Sequence, residues 1–226
     1  MDIRLCFLLM ILGFFSACKK TEPYDSDLDY SYFPIEEGKF IEYQVLEISH
    51  DINLNPSIDS NLYYLKVSIG EKILSNTGDS VNKLIFYTKP HPDSMYLLDK
   101  VNTIYNNGFQ GIYNLDNQKY IKLAFPARVG VNWNINACNT SDPLNSSVVQ
   151  KDFSGSVNGI NFSSLLLTEQ LDFFSLVDYQ KAYEIYAKDI GLVRIYFKDL
   201  TIQNFDTTQI KKGEEVYWNY LSSGQE

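Results

Sequence analysis

Apolar side chains in this chain recur at every second residue. Tyr63, Leu65, Val67 and Ile69 alternate with Tyr64, Lys66, Ser68 and Gly70. Ile121, Leu123 and Phe125 alternate with Tyr120, Lys122 and Ala124. Val193, Ile195 and Phe197 do the same with Arg194, Tyr196 and Lys198. A period of two places each set on opposite faces of a pleated strand, so these segments read as strands with one buried face. Further strands are expected near 40–48, 81–88, 95–98, 103–106, 111–114, 148–157, 164–171, 181–187, 201–205 and 215–220. A helix competes best over 164–187, where apolar residues crowd. The aromatic and β-branched content there favours strands, with room for one short helical turn.

Turn signals separate these segments at short intervals: Asn76-Thr77-Gly78-Asp79, Lys89-Pro90-His91-Pro92, Asn106-Asn107-Gly108 and Asp189-Ile190-Gly191. Asn107-Gly108 is the strongest hairpin signal, because both residue types tolerate positive φ. The expected fold is all-β, an antiparallel meander forming a curved sheet or sandwich with little helix in the mature chain. No internal repeat of 20–50 residues is visible.

The first residues read as an export signal. Arg4 is followed by an apolar run, Leu5 to Phe15, then by Ser16-Ala17-Cys18. That run is about eleven residues long, and a spanning helix needs roughly 20. The ending Phe15-Ser16-Ala17-Cys18 resembles the lipobox of bacterial lipoproteins, with Phe15 where leucine is usual. The expectation is a signal peptide over 1–17 and an acylated Cys18. An acidic tether over 18–31, a single β domain over 32–221 and a fraying tail over 222–226 follow.

Net charge is −9, with a pI near 4.7. Such a chain is repelled by phosphate backbones and anionic surfaces, which argues against nucleic-acid binding. A hydrophobic fraction of 45% is ample for a core. Tyrosine stands out, with 17 copies against 14 phenylalanines. Tyrosine suits half-buried strand surfaces because its hydroxyl stays at the water boundary.

Of three cysteines, Cys6 leaves with the signal and Cys18 is lipidated, so Cys138 has no intramolecular partner. It reads as either a buried small hydrophobe or a reactive thiol. His50 and His91 fall in expected exposed loops, and no structural zinc set assembles locally. Asp25, Asp27, Asp29, Ser31 and Glu36 fit positions 1, 3, 5, 7 and 12 of a calcium loop. Tyr30 replaces its glycine and Pro34 interrupts it, so a solvated acidic tether is the competing reading. Glu36-Glu37 and Glu214-Glu215 are sequence neighbours whose side chains leave a strand on opposite faces, which suits solvated edge charges better than an acid/base pair. Gly155-Ser156-Val157-Asn158-Gly159 has its serine one place early for a nucleophile elbow. No dinucleotide or phosphate-loop motif is present, and no cofactor is expected. Asp79-Ser80-Val81, Asp93-Ser94-Met95 and Asp206-Thr207-Thr208 resemble the short O-glycosylation motif of Bacteroidota envelope proteins, which makes Ser80, Ser94 and Thr207 candidate acceptors.

Three longer phrases carry a broader resemblance. They are Tyr32-Phe33-Pro34-Ile35-Glu36-Glu37-Gly38-Lys39-Phe40-Ile41-Glu42-Tyr43, Phe125-Pro126-Ala127-Arg128-Val129-Gly130-Val131-Asn132-Trp133, and Tyr186-Ala187-Lys188-Asp189-Ile190-Gly191-Leu192-Val193. Together they resemble a set of Bacteroidota lipoproteins of unknown role. Phe40 stands where that set usually has tryptophan, and Asp189 where it usually has glycine. The resemblance implies an all-β domain in the cell envelope. The acidic run after Cys18 also resembles the surface-export signal of lipoproteins in the same phylum.

The expected role is that of a lipid-anchored cell-envelope protein at the outer membrane, a non-enzymatic binding or structural module with a protein, glycan or lipid partner. A curved-sheet carrier of an apolar ligand and a carboxylate hydrolase are the alternatives.

Overall fold

The computed structural model describes residues 28–75 and 78–226. Twelve strands follow one another: β1 (Lys39–Asp51), β2 (Ile58–Leu74), β3 (Ser80–Lys89), β4 (Leu97–Asn106), β5 (Gln110–Leu115), β6 (Gln118–Ala124), β7 (Asn132–Asn134), β8 (Asn145–Val157), β9 (Ile160–Phe174), β10 (Asp178–Ala187), β11 (Gly191–Thr201) and β12 (Lys212–Gln225). They form one sheet in the order β6-β5-β4-β3-β2-β1-β12-β11-β10-β9-β8-β7. Each strand pairs antiparallel with its sequence neighbour, as in the expected meander, except β6 and β7, which form the two edges of the sheet. The pairing of β1 with β12 joins the two halves of the chain.

The outermost strands meet. The Ile121 N–H donates to the Ile135 carbonyl at 3.0 Å, and the Trp133 indole N–H to the Ile121 carbonyl at 2.9 Å. A few such bonds in place of a full ladder leave a nearly closed barrel. The long β8 pairs with β7 only over 145–147, and it carries three register shifts along β9. Bulges of this kind discourage an edge from pairing with another chain.

The alternation seen in the sequence fills the interior. Tyr43, Val45, Leu65, Val67, Leu84, Ile104, Leu166 and Tyr186 belong to one buried cluster. A smaller second core gathers Val157, Phe162, Leu165, Val193 and Tyr220, where the β8–β9 hairpin bends back. There the Asn158 amide donates to the Tyr220 carbonyl at 3.0 Å.

Antiparallel order sorts the connections to two ends. Residues 28–38 close one end, which also holds the β2–β3, β4–β5, β6–β7 and β10–β11 connections. A short 3-10 turn, Tyr30–Tyr32, starts this plug. The Tyr30 hydroxyl donates to the Gly108 carbonyl at 2.8 Å, and its ring meets Phe125 edge-on at 4.9 Å. The fully buried Tyr32 donates to Asp152 at 2.7 Å, and burial pushes its hydroxyl up to about 12. The Asp189 N–H donates to the Ser31 carbonyl at 2.7 Å, and the Tyr43 hydroxyl to the Leu192 carbonyl at 2.6 Å. The segments 32–43, 125–133 and 186–193 thus converge on one end of the barrel.

Several expectations change. The segments near 95–98 and 103–106 belong to a single strand, β4, and 201–205 turns away after Thr201. No helical turn interrupts 164–187; the short link Ser175–Val177 connects β9 to β10 directly. The tail expected to fray over 222–226 instead continues β12 to Gln225, because β1 pairs with it as far as Lys39. Order also starts earlier than Tyr32, since Asp29 is buried in an ion pair with Lys151.

Candidate functional site

The barrel interior is occupied by its own side chains. The void beside Phe33, Pro34, Tyr43, Ile69, Leu84 and Leu192 is about 30 Å³, room for one or two waters. A polar bridge crosses this interior. Lys122 of β6 is ion-paired with Glu184 of β10, and the Tyr186 hydroxyl donates to the same carboxylate. Burial, reinforced by the charge of Glu184, holds the Tyr186 and Tyr113 hydroxyls above the ordinary tyrosine range. The pair is nearly inaccessible to solvent, so its charges serve each other.

The outer face of β10, β11 and β12 is organised in cross-strand rows. Tyr183, Tyr196 and Tyr217 are direct neighbours in register. Tyr183 and Tyr196 stack at 4.7 Å and 11°, and Tyr217 meets Tyr196 edge-on at 5.2 Å. Beside them runs an ionic row in which Lys181 opposes Lys198 and Lys198 opposes Glu215. Glu215 accepts from Lys198 at 2.8 Å, and its other oxygen lies 2.8 Å from His50 Nε2. Tyr217 also donates to it. Burial opposes ionisation of Glu215, but the bonds from Lys198, Tyr217 and His50 outweigh it and hold the carboxyl below the ordinary glutamate range. Stacking covers the faces of the Tyr183–Tyr196 pair, so this surface is a packed ladder and not an open aromatic platform.

At the end away from the plug, the β9–β10 link and the β11–β12 loop build an apolar patch. Phe173, Phe174, Leu176, Val177 and Phe205 are each 49–56% exposed. Phe174 packs against Phe205 at 5.6 Å and Tyr179 at 5.8 Å. The backbone fixes the patch, because the Phe205 N–H donates to Leu176 at 3.2 Å and the Ile202 N–H to Val177 at 2.8 Å. Phe205 sits at φ +59°, a left-handed conformation that bulky residues rarely adopt. Exposed aromatic surface held under backbone strain is a mark of function. Asp172, Asp178 and Asp206 lie around it in sequence, and the bonds from Thr208 and Gln209 hold the Asp206 carboxyl below its ordinary range.

The residues singled out from sequence scatter over this framework. Cys18, Asp25 and Asp27 lie outside the described residues. Asp29 is taken by Lys151 and Glu36 by Lys39 at 3.2 Å, so the described half of the calcium loop is committed to lysines. No group of three or more metal-ligating side chains occurs among the described residues. Ser80 and Thr207 are exposed and Ser94 is half-buried, at or beside loops. His91 is exposed, whereas His50 is buried at the end of β1 against Glu215. Cys138 is exposed in the β7–β8 loop and not buried, because that loop projects beyond the core that covers Trp133 and Ile135. Glu214 and Glu215 do leave opposite faces, but β12 is an inner strand and Glu215 is buried, not a solvated edge charge. The patch at Phe174 and Phe205 was missed. Its only local signal is the Phe173-Phe174 pair ahead of a short turn.

Fold and surfaces define an antiparallel, nearly closed barrel with a filled interior. No family model matches this chain, and no curated protein matches it. Among solved structures, the crystal structure of a "putative lipoprotein" from Parabacteroides distasonis aligns with 84% of this chain and 98% of its own. The TM-score is 0.36 and the identity 11%. No helix among the described residues is long and apolar enough to cross a membrane.

Proposed function

We propose that this chain is a lipid-anchored envelope protein acting as a non-enzymatic binding module. It engages a protein partner through the apolar patch at the end of the barrel away from its anchor. The observation that carries this reading is the rigidly held group of Phe174, Leu176, Val177 and Phe205. Such a group resembles the centre of an interface, and Asp178 and Asp206 beside it fit a partner with aliphatic side chains among lysines and arginines, while Asp172 is already paired with Lys181. The filled interior supports binding over carriage, since a drug-sized ligand needs a pocket of roughly 300 Å³ or more. Glu184 and Glu215 are each neutralised by a lysine, which weighs against a carboxylate hydrolase.

Photo-crosslinking in intact cells tests the partner. A benzophenone side chain at position 174 or 205 is expected to give one discrete adduct that Leu176→Asp abolishes. An adduct of twice the protein's own mass would identify a second copy as the occupant. Identical adducts from a probe at Tyr196 would refute a defined surface. Intact mass of the envelope-extracted protein reports acyl chains on Cys18 and any sugars on Ser80, Ser94 and Thr207.

A further inference from the structure

The plugged end of the barrel carries its own exposed apolar residues, and they differ in kind from the distal patch. They sit singly, one per connection: Leu74 beside the β2–β3 turn, Phe109 in the β4–β5 turn, Val129 in the β6–β7 loop, and Leu28 where the described chain begins. Their exposures are 76%, 76%, 62% and 38%. The turns at Phe109 and Val129 are well defined. The Asn107 side chain accepts from the Phe109 N–H at 3.0 Å and the Gln110 N–H at 2.8 Å, while the Phe109 carbonyl accepts from Phe125 at 2.7 Å. Val129 lies between an Arg128 N–H bonded to Pro126 at 2.9 Å and a Gly130 N–H bonded to Val148 at 2.9 Å. The four residues are thus isolated apolar tips at a common end, those at Phe109 and Val129 on well-braced turns, without the ring-to-ring contacts of the distal patch.

We infer that these tips form a membrane-docking ring that seats the barrel, plugged end down, in the interfacial layer of the bilayer holding its lipid. The inference rests on the proposed acylation of Cys18. Ten residues separate Cys18 from Leu28, a reach of at most about 35 Å, and the chain emerges at the same end as the tips. Single apolar side chains on loops insert between headgroups, where a flat protein interface would instead need a contiguous patch. Glu36, Glu37, Asp79 and Asp189 are exposed at this end and outnumber the exposed bases Arg128 and Lys188. The ring therefore works by apolar insertion, and anionic lipid does not strengthen it. Docking fixes the orientation of the molecule and turns Phe174 and Phe205 away from the membrane.

The test uses the lipidated full chain with Cys138→Ser, labelled with the environment-sensitive dye NBD at Phe109→Cys, Val129→Cys or Phe205→Cys. Each protein is reconstituted into phosphatidylcholine vesicles and floated on a density gradient. The expected result is flotation of all three, with NBD emission at 109 and 129 shifted to the blue and emission at 205 unchanged from water. Adding phosphatidylglycerol should leave the shift unaltered. Flotation with water-like emission at 109 and 129 would overturn the ring while leaving the anchor intact. Failure to float would overturn the anchor, and the ring with it. All three substituted positions are more than half exposed, so folding is not at stake.

Discussion

The ring of Phe33 occupies the space above Gly111, so close that a β-carbon at that glycine would lie 2.7 Å from it. Phe33 is the centre of the plug, and the bare backbone of β5 is what admits it. Phe33→Ala should cost about 3–5 kcal/mol, the usual range for a buried phenylalanine. Gly111→Ala should cost about 1–3 kcal/mol through overpacking. The two must couple: once Phe33 is alanine, Gly111→Ala should cost much less. Urea unfolding of the single and double variants checks this. Additive losses would show that the ring and the glycine do not constrain each other.

Lys122 and Glu184 join strands that are far apart in the sheet, and the pair is 14% and 10% exposed. Lys122→Met leaves a buried carboxylate with only Tyr186 to satisfy it, and should cost about 3–5 kcal/mol. Replacing both partners, Lys122→Met with Glu184→Leu, should recover most of that loss, because two uncharged side chains need no solvation. Equilibrium unfolding of the four proteins decides it. A double variant as unstable as the single one would mean that the bridge contributes more than mutual neutralisation.

Much of the fold was legible because strand periodicity is local. Tyr63 to Ile69, Ile121 to Leu123 and Val193 to Phe197 all lie in strands, with Phe125 just past the end of β6, and Asn107-Gly108 does turn β4 into β5. Register was not legible, because it is set by residues distant in sequence. His50 sits in the polar run Ser49-His50-Asp51 and reads as a loop. It becomes part of β1 because β2 and β12 both pair with it, and β12 places it against Glu215, 165 residues away. The same closure carries β12 out to Gln225. The patch at Phe174 and Phe205 was hidden for a related reason: alternation identifies a face, and burial depends on what the rest of the chain lays over it.

Asp189 occupies a strained turn between β10 and β11. Its φ is +65°, in the left-handed region that glycine enters without a β-carbon penalty. Its contacts to the plug run through the backbone, since the N–H donates to Ser31 and the carbonyl accepts from Lys39 at 3.2 Å. Asp189→Gly keeps both contacts and relieves the strain. It should raise stability by up to about 1 kcal/mol. Thermal unfolding is the measurement, and a fall in Tm would show that the aspartate side chain itself stabilises the turn.

The Glu215 cluster predicts an acid-dependent stability. Its carboxyl lies below the ordinary glutamate value of 4.5 in the folded chain, so folding favours the ionised form. Its contribution is complete above that ordinary value, and it is lost as pH falls through the lower folded value. Glu215→Gln keeps the shape but removes the charge that Lys198 faces at 2.8 Å. At pH 7 the variant should be less stable by about 1–3 kcal/mol, the scale of a charged group's lost partner. As pH is lowered from about 6 toward 3, where an ordinary glutamate takes up its proton, the gap between the two proteins should narrow. Urea midpoints across that range read it directly. A gap that stays constant would mean that Glu215 acts through shape alone, with the lysine drawing no stability from its charge.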